Sequence, residues 1–137
     1  MKRMFLGLLA MLLATSAVYA GPDSLYTAHI AQAESFYGKK DYKRSAENYS
    51  LAFRALGYKG YPNDRYNAAC SWAMAGNVDS AFSNLFIIAE KTGFSNYAHF
   101  INDTDLDAIR TDKRYDLLVN IIKANKEKKE ANLNKPL

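Results

Sequence analysis

Two stretches of the chain repeat each other at a fixed offset of 36 residues. Ala33, Phe36, Tyr42, Ser45, Tyr49 and Gly57 return as Ala69, Trp72, Val78, Ala81, Leu85 and Gly93. Small residues pair with small, large apolar with large apolar, and Gly with Gly. Asp41 and Asn77 also pair, and both residue types cap helix N-termini well. A period in this range marks an array of helical repeats, in which a unit buries its apolar face only against a neighbour. One exchange supports the pairing. Ala46 and Phe53 lie two turns apart on one helix face, and their counterparts are Phe82 and Ala89. Small and large trade places, so the volume a packed interior must hold is kept.

Apolar spacings of three and four predict helices at residues 25–37, 42–56, 65–75 and 78–91. Ala33 and Phe36 face inward on the first. The second carries the stripe Tyr42, Ala46, Tyr49, Ala52, Phe53, Leu56, and the fourth Val78, Ala81, Phe82, Leu85, Ile88, Ala89. The expected N-caps are Asp23 or Ser24, Asp41, Asn63 or Asp64, and Asn77. Gly57, Gly76 and Gly93 close helices, and Gly57 suits a C′ position of positive φ. After Tyr97 the period fails. Ser95 reads as the cap of a short helix with Tyr97, Phe100 and Ile101, and residues 104–109 as one or two helical turns. Thr111 reads as the cap of a last helix with Tyr115, Leu118, Val119 and Ile122 inward. No strand is predicted, so the fold class is all-α.

The ends divide the chain into three parts. Lys2 and Arg3, an apolar run from Phe5 to Leu13, and Val18-Tyr19-Ala20 form the three regions of a secretory signal peptide, residues 1–20, cut after Ala20. The helical domain is expected at 21–123. A polar Lys-rich tail, 124–137, is too hydrophilic to bury much and is read as disordered. Losing Lys2 and Arg3 lowers the formal net charge from +4 to +2. That charge, with lysines gathered in the tail, is a poor footprint for nucleic acid. No stretch after the signal is apolar enough for stable membrane insertion. A single cysteine, Cys70, cannot staple the fold internally, so the domain must be held by its core.

Few residues suggest chemistry. His29 and His99 are the only histidines, and one His beside Asp103 or Asp105 falls short of the three or four ligands of a metal site. Asp103, Asp105 and Asp107 alternate like a calcium loop, yet Ala108 and Arg114 stand where that loop needs Gly and Glu. Helix capping accounts for these acids better. Cys70 reads as a small buried residue. The sequence therefore implies no catalytic residue, no metal and no cofactor.

The paired pattern resembles the tetratricopeptide repeat. The first unit carries Ala33, Phe36, Tyr42, Ser45, Tyr49 and Ala52, and the second Ala69, Trp72, Val78, Ala81 and Leu85. Ile88 stands where the family has a small residue, His29 and Arg65 where it has Trp, and Gly57 and Gly93 where it has Pro. The segments 66–77 and 103–118 are similar to the end of such arrays in bacterial proteins. The resemblance implies two antiparallel helix-turn-helix units plus a C-terminal capping segment, a fragment of a right-handed α-solenoid. It implies a groove lined by Ile30, Glu34, Tyr37, Tyr66, Asn67, Cys70 and Met74 that binds a peptide or helix of another protein. The subclass that captures a C-terminal carboxylate does not fit, because Thr27 and Asn63 stand where it needs Lys. The function expected is a non-catalytic interaction module, secreted or periplasmic, with homodimerisation left open. The alternative is an accessory subunit acting in trans on an envelope hydrolase or peptidase.

Overall fold

The computed structural model describes residues 21–134, and these are helical with no strand. The order is α1 (Pro22–Gly38), α2 (Tyr42–Ala55), α3 (Pro62–Met74), α4 (Val78–Lys91), α5 (Tyr97–Asn102), a 3-10 helix (Thr104–Ile109) and α6 (Arg114–Leu133). The expected signal peptide lies outside the described residues.

The sequence echo is also an echo of backbone geometry. Helices α2 and α4 are 14 residues each, and their capping interactions match. Asp41 Oδ1 accepts the Arg44 N–H at 3.2 Å, and Asn77 Oδ1 accepts the Ser80 N–H at 3.0 Å. The amides of Asp41 and Asn77 donate to the carbonyls of Phe36 and Trp72, each at 2.9 Å. Lys40 and Gly76, also 36 apart in sequence, take φ of 60° and 82°. Even the side-chain bonds Asn48 to the Arg44 carbonyl and Asn84 to the Ser80 carbonyl recur, at 2.8 and 3.0 Å.

Helix starts differ from expectation where proline competes with a cap. The N-caps of α1 and α3 are Gly21 and Tyr61, with Pro22 and Pro62 in the first turn and no side-chain cap bond. A proline ring presets φ and lacks the N–H that a cap would satisfy. Asp23, Ser24, Asn63 and Asp64 thus fall inside the helices. Asn96, not Ser95, caps α5, and α6 begins after Thr111, with Asp112 Oδ1 accepting the Arg114 N–H at 2.9 Å. Helix α6 also runs on past Ala124 to Leu133, although every side chain from Lys126 to Leu133 is exposed. Ala, Lys and Glu are strong helix formers, and Lys126 pairs with Glu130 one turn on at 3.2 Å.

Helix α1 packs along α2, α2 against α3, and α3 along α4. Two cores result. One holds Tyr26, Ala33, Tyr49, Ala52, Phe53 and Ala68; the other joins α3, α4, α5, the 3-10 helix and α6 around Phe82, Phe100 and Leu118. Helix α3 serves both, through Ala68 in one and Ala69, Cys70 and Ala73 in the other. Small side chains let α2 and α3 approach, and the buried hydroxyls of Ser45 and Ser71 bond each other there at 2.9 Å. Phe36, expected to face inward, and its counterpart Trp72 are only half-buried. Tyr26 takes a core place instead. Its hydroxyl donates to Asp64 Oδ2 at 2.5 Å and accepts the Tyr61 N–H at 3.2 Å. Arg65, buried at 8 % exposure, lies over the Phe53 ring at 4.4 Å and donates to Asn84 Oδ1 at 3.0 Å.

Candidate functional site

The C-terminal end of α1, the middle of α3 and the segment from α5 into the 3-10 helix line a half-open cavity of about 370 Å³. Local packing explains how each wall is held. On the 3-10 helix, Leu106 and Ile109 are fully buried and press it onto α3, which brings Asp103 and Asp105 to the cavity. On α5, Phe100 is fully buried and stacks on Tyr115 with ring centroids 5.4 Å apart. That anchor leaves the neighbouring His99 beside Tyr66, ring to ring at 5.1 Å.

Five residues expected from the sequence meet here: Glu34 and Tyr37 of α1, and Tyr66, Asn67 and Cys70 of α3. Two do not. Ile30 packs against the core between α1 and α2, and Met74, at the end of α3, is exposed and lines no part of the cavity. The reason lies in the α5–3-10 segment. It packs on α3 and ties Tyr37 of α1 and Tyr66 of α3 to Asp105 and Asp103, which sets the site beside those residues. Tyr49, His99, Asp103 and Asp105 complete the lining. No local spacing could have shown this, because the contacts join residues far apart in sequence. Tyr66 Oη donates to Asp103 Oδ2 at 2.8 Å, across 37 positions, and Tyr37 Oη donates to Asp105 Oδ2 across 68.

The cavity is acidic and aromatic. Its lining holds Glu34, Asp103 and Asp105 and no Lys or Arg, against a weakly basic chain. Asp103 is the hub. Its Oδ1 accepts the Asp105 N–H at 3.0 Å, as the cap of the 3-10 helix, in keeping with the capping role read from the sequence. Around its Oδ2 stand the Tyr66 hydroxyl, the Cys70 thiol at 3.8 Å and His99 Nε2 at 3.5 Å. Burial raises the Tyr66 and Tyr37 hydroxyls well above the usual tyrosine range, reinforced by the hydrogen bonds to Asp103 and Asp105. Tyr49 is pushed up to about 12, mainly by burial. These hydroxyls stay protonated and serve as fixed donors.

Cys70, 4 % exposed, is likewise pushed up by burial and by the charges of Asp103 and Asp105. A nucleophilic cysteine needs the opposite, a thiolate stabilised by nearby positive charge. Sγ, Asp103 and Asp105 nonetheless offer three ligand atoms within 4.8 Å of one another. What the arrangement can do is receive a side chain among tyrosine rings, or gather a positive charge among carboxylates.

Compared with family models, curated proteins and solved structures, the chain matches none of them. Among the described residues, no helix is long and apolar enough to cross a membrane.

Proposed function

We propose that this chain is a non-catalytic protein–protein interaction module of tetratricopeptide type, exported through its signal peptide and acting in the cell envelope or outside it. The observation that carries the reading is the half-open cavity, walled by Tyr37, Tyr49 and Tyr66 and rimmed by the exposed residues Glu34 and Asn67. Tyrosine walls give large contact area at little cost in rotamer entropy, and each hydroxyl supplies a polar handle. A volume of about 370 Å³ suits one anchoring side chain or the tip of a helix, not a long extended peptide. The occupant we favour is therefore a single anchor residue on a loop or helix of a second protein. The matched capping of α2 and α4 supports the repeat assignment behind this reading.

Site-specific photo-crosslinking tests it. A photoreactive residue at position 34 or 67 of the mature chain should give the same adduct in an envelope extract, while one at 123 on α6 should give none. Equal adducts from all three positions, or adducts from 123 alone, would refute binding at the cavity.

A further inference from the structure

The donors gathered around Asp103 differ in kind from an acidic cluster. They are a thiol on α3, an imidazole on α5 and two carboxylates, Asp103 and Asp105, on the closing segment. We propose that Cys70, His99, Asp103 and Asp105 form a divalent transition-metal site, suited to Zn²⁺, that pins the closing segment to α3.

Geometry and donor chemistry agree. At Zn–S near ~2.3 Å and Zn–N or Zn–O near ~2.0–2.2 Å, ligand atoms around a tetrahedral ion lie roughly 3.3–3.6 Å apart. His99 Nε2 is 3.5 Å from Asp103 Oδ2, and Cys70 Sγ is 3.8 Å from the same oxygen. The Cys70, Asp103 and Asp105 donors all lie within 4.8 Å of one another, so this triad closes by about an ångström when an ion draws it in, and His99 turns in from its exposed position beside Asp103 to complete the four. Thiolate with imidazole and carboxylate selects zinc-like ions over calcium or magnesium, which take oxygen ligands. No Lys or Arg lines the cavity, and the Arg110 guanidinium donates to the Asp103 backbone carbonyl at 2.8 Å and to Asp107 rather than to either cavity carboxylate, so the acids of the cavity are open to a dication. The Tyr66 hydroxyl on Asp103 and the Tyr37 hydroxyl on Asp105 orient the carboxylates, as outer-shell partners of metal ligands do. On binding, the Sγ–H bond breaks, its proton leaves to solvent, and the sulfur electron pair is donated to the metal.

The site occupies the same cavity as the interaction surface, but the inference does not depend on a partner, because the probe is the metal alone. The mature chain, without a histidine tag, is titrated with Co²⁺ and with Zn²⁺. One Co²⁺ per chain should produce a sulfur-to-cobalt charge-transfer band in the near ultraviolet and intense tetrahedral bands in the visible. Zn²⁺ should displace it and raise the melting temperature. Cys70→Ser should abolish the charge-transfer band and the thermal shift. His99→Gln, at an exposed position, should weaken Co²⁺ binding at least tenfold. Absence of the charge-transfer band in the unaltered chain would overturn the proposal. So would equal Co²⁺ affinity in the His99→Gln chain.

Discussion

Replacing Lys40 by glycine should make this protein more stable, and the magnitude follows from two backbone angles. Lys40 sits at φ 60°, in the left-handed region, where its counterpart Gly76 sits at 82°. An L side chain there costs about 1–2 kcal/mol, from the approach of Cβ to the backbone carbonyl. Glycine returns about 0.4–1 kcal/mol of that through its greater freedom in the unfolded chain. The balance for Lys40→Gly is a gain of about 0.5–1 kcal/mol. Gly76→Ala should lose a similar ~0.5–1 kcal/mol. A Cβ built at Gly76 meets nothing within 4 Å, so that loss is a backbone effect with no clash behind it. Urea melts followed by far-ultraviolet circular dichroism measure both changes, and the denaturant slopes should be unaltered. If Lys40→Gly lost stability, or Gly76→Ala were neutral, the two turns would not be equivalent.

Gly60→Ala should behave differently, because its Cβ would lie 2.5 Å from Cδ1 of Phe53, a ring covered on one face by Arg65. Crowding of that kind costs about 1–3 kcal/mol, and a denaturant melt reads it. Phe82→Ala, at 1 % exposure, should lose about 3–5 kcal/mol, whereas Trp72→Ala, half-buried, should lose visibly less in the same melt. Acid should destabilise the fold through Asp112, whose carboxyl is lowered to about 2 by its hydrogen bond to Arg114. A lowered folded pKa gives stability that is present at neutral pH and lost as pH falls from about 5 toward 2. Asp112→Asn should flatten that part of a plot of melting temperature against pH. Alkali should destabilise it too. The raised Cys70, Tyr49 and Tyr66 groups keep their protons in the fold, so their contribution is full below the ordinary thiol and phenol range and fades above about pH 9–10. Tyr66→Phe should reduce the alkaline loss in the same scan.

The helices were legible in the sequence where one face meets one neighbour. The stripes of α2 and α4 have clean three-and-four spacing, and Asp41 and Asn77 cap as the sequence implies. Helix starts at Pro22 and Pro62 were less legible, because caps and prolines within a few residues compete for the same position. The burial of Tyr26 was not legible for another reason. Its burial depends on Asp64 and Tyr61, which stand 38 and 35 residues away. Five of the cavity residues were legible because Glu34 and Tyr37 share one face of α1, and Tyr66, Asn67 and Cys70 one face of α3. Asp103, Asp105 and His99 were each visible as acids or a histidine. Their convergence on Cys70 was not, because only the docking of Leu106 and Ile109 sets it.

The bonds from Tyr37 to Asp105 and from Tyr66 to Asp103 bear on how the chain comes apart. A linear stack of helix pairs has mostly neighbour-to-neighbour contacts, so its ends can fray while its middle holds. Here the closing segment grips the first helix pair and the second at once, across 68 and 37 positions of sequence. Opening α1 therefore strips a hydrogen bond from the 3-10 helix. Amide protons of α1 and of the 3-10 helix should exchange with solvent at matching rates, in a single opening that neither segment undergoes alone.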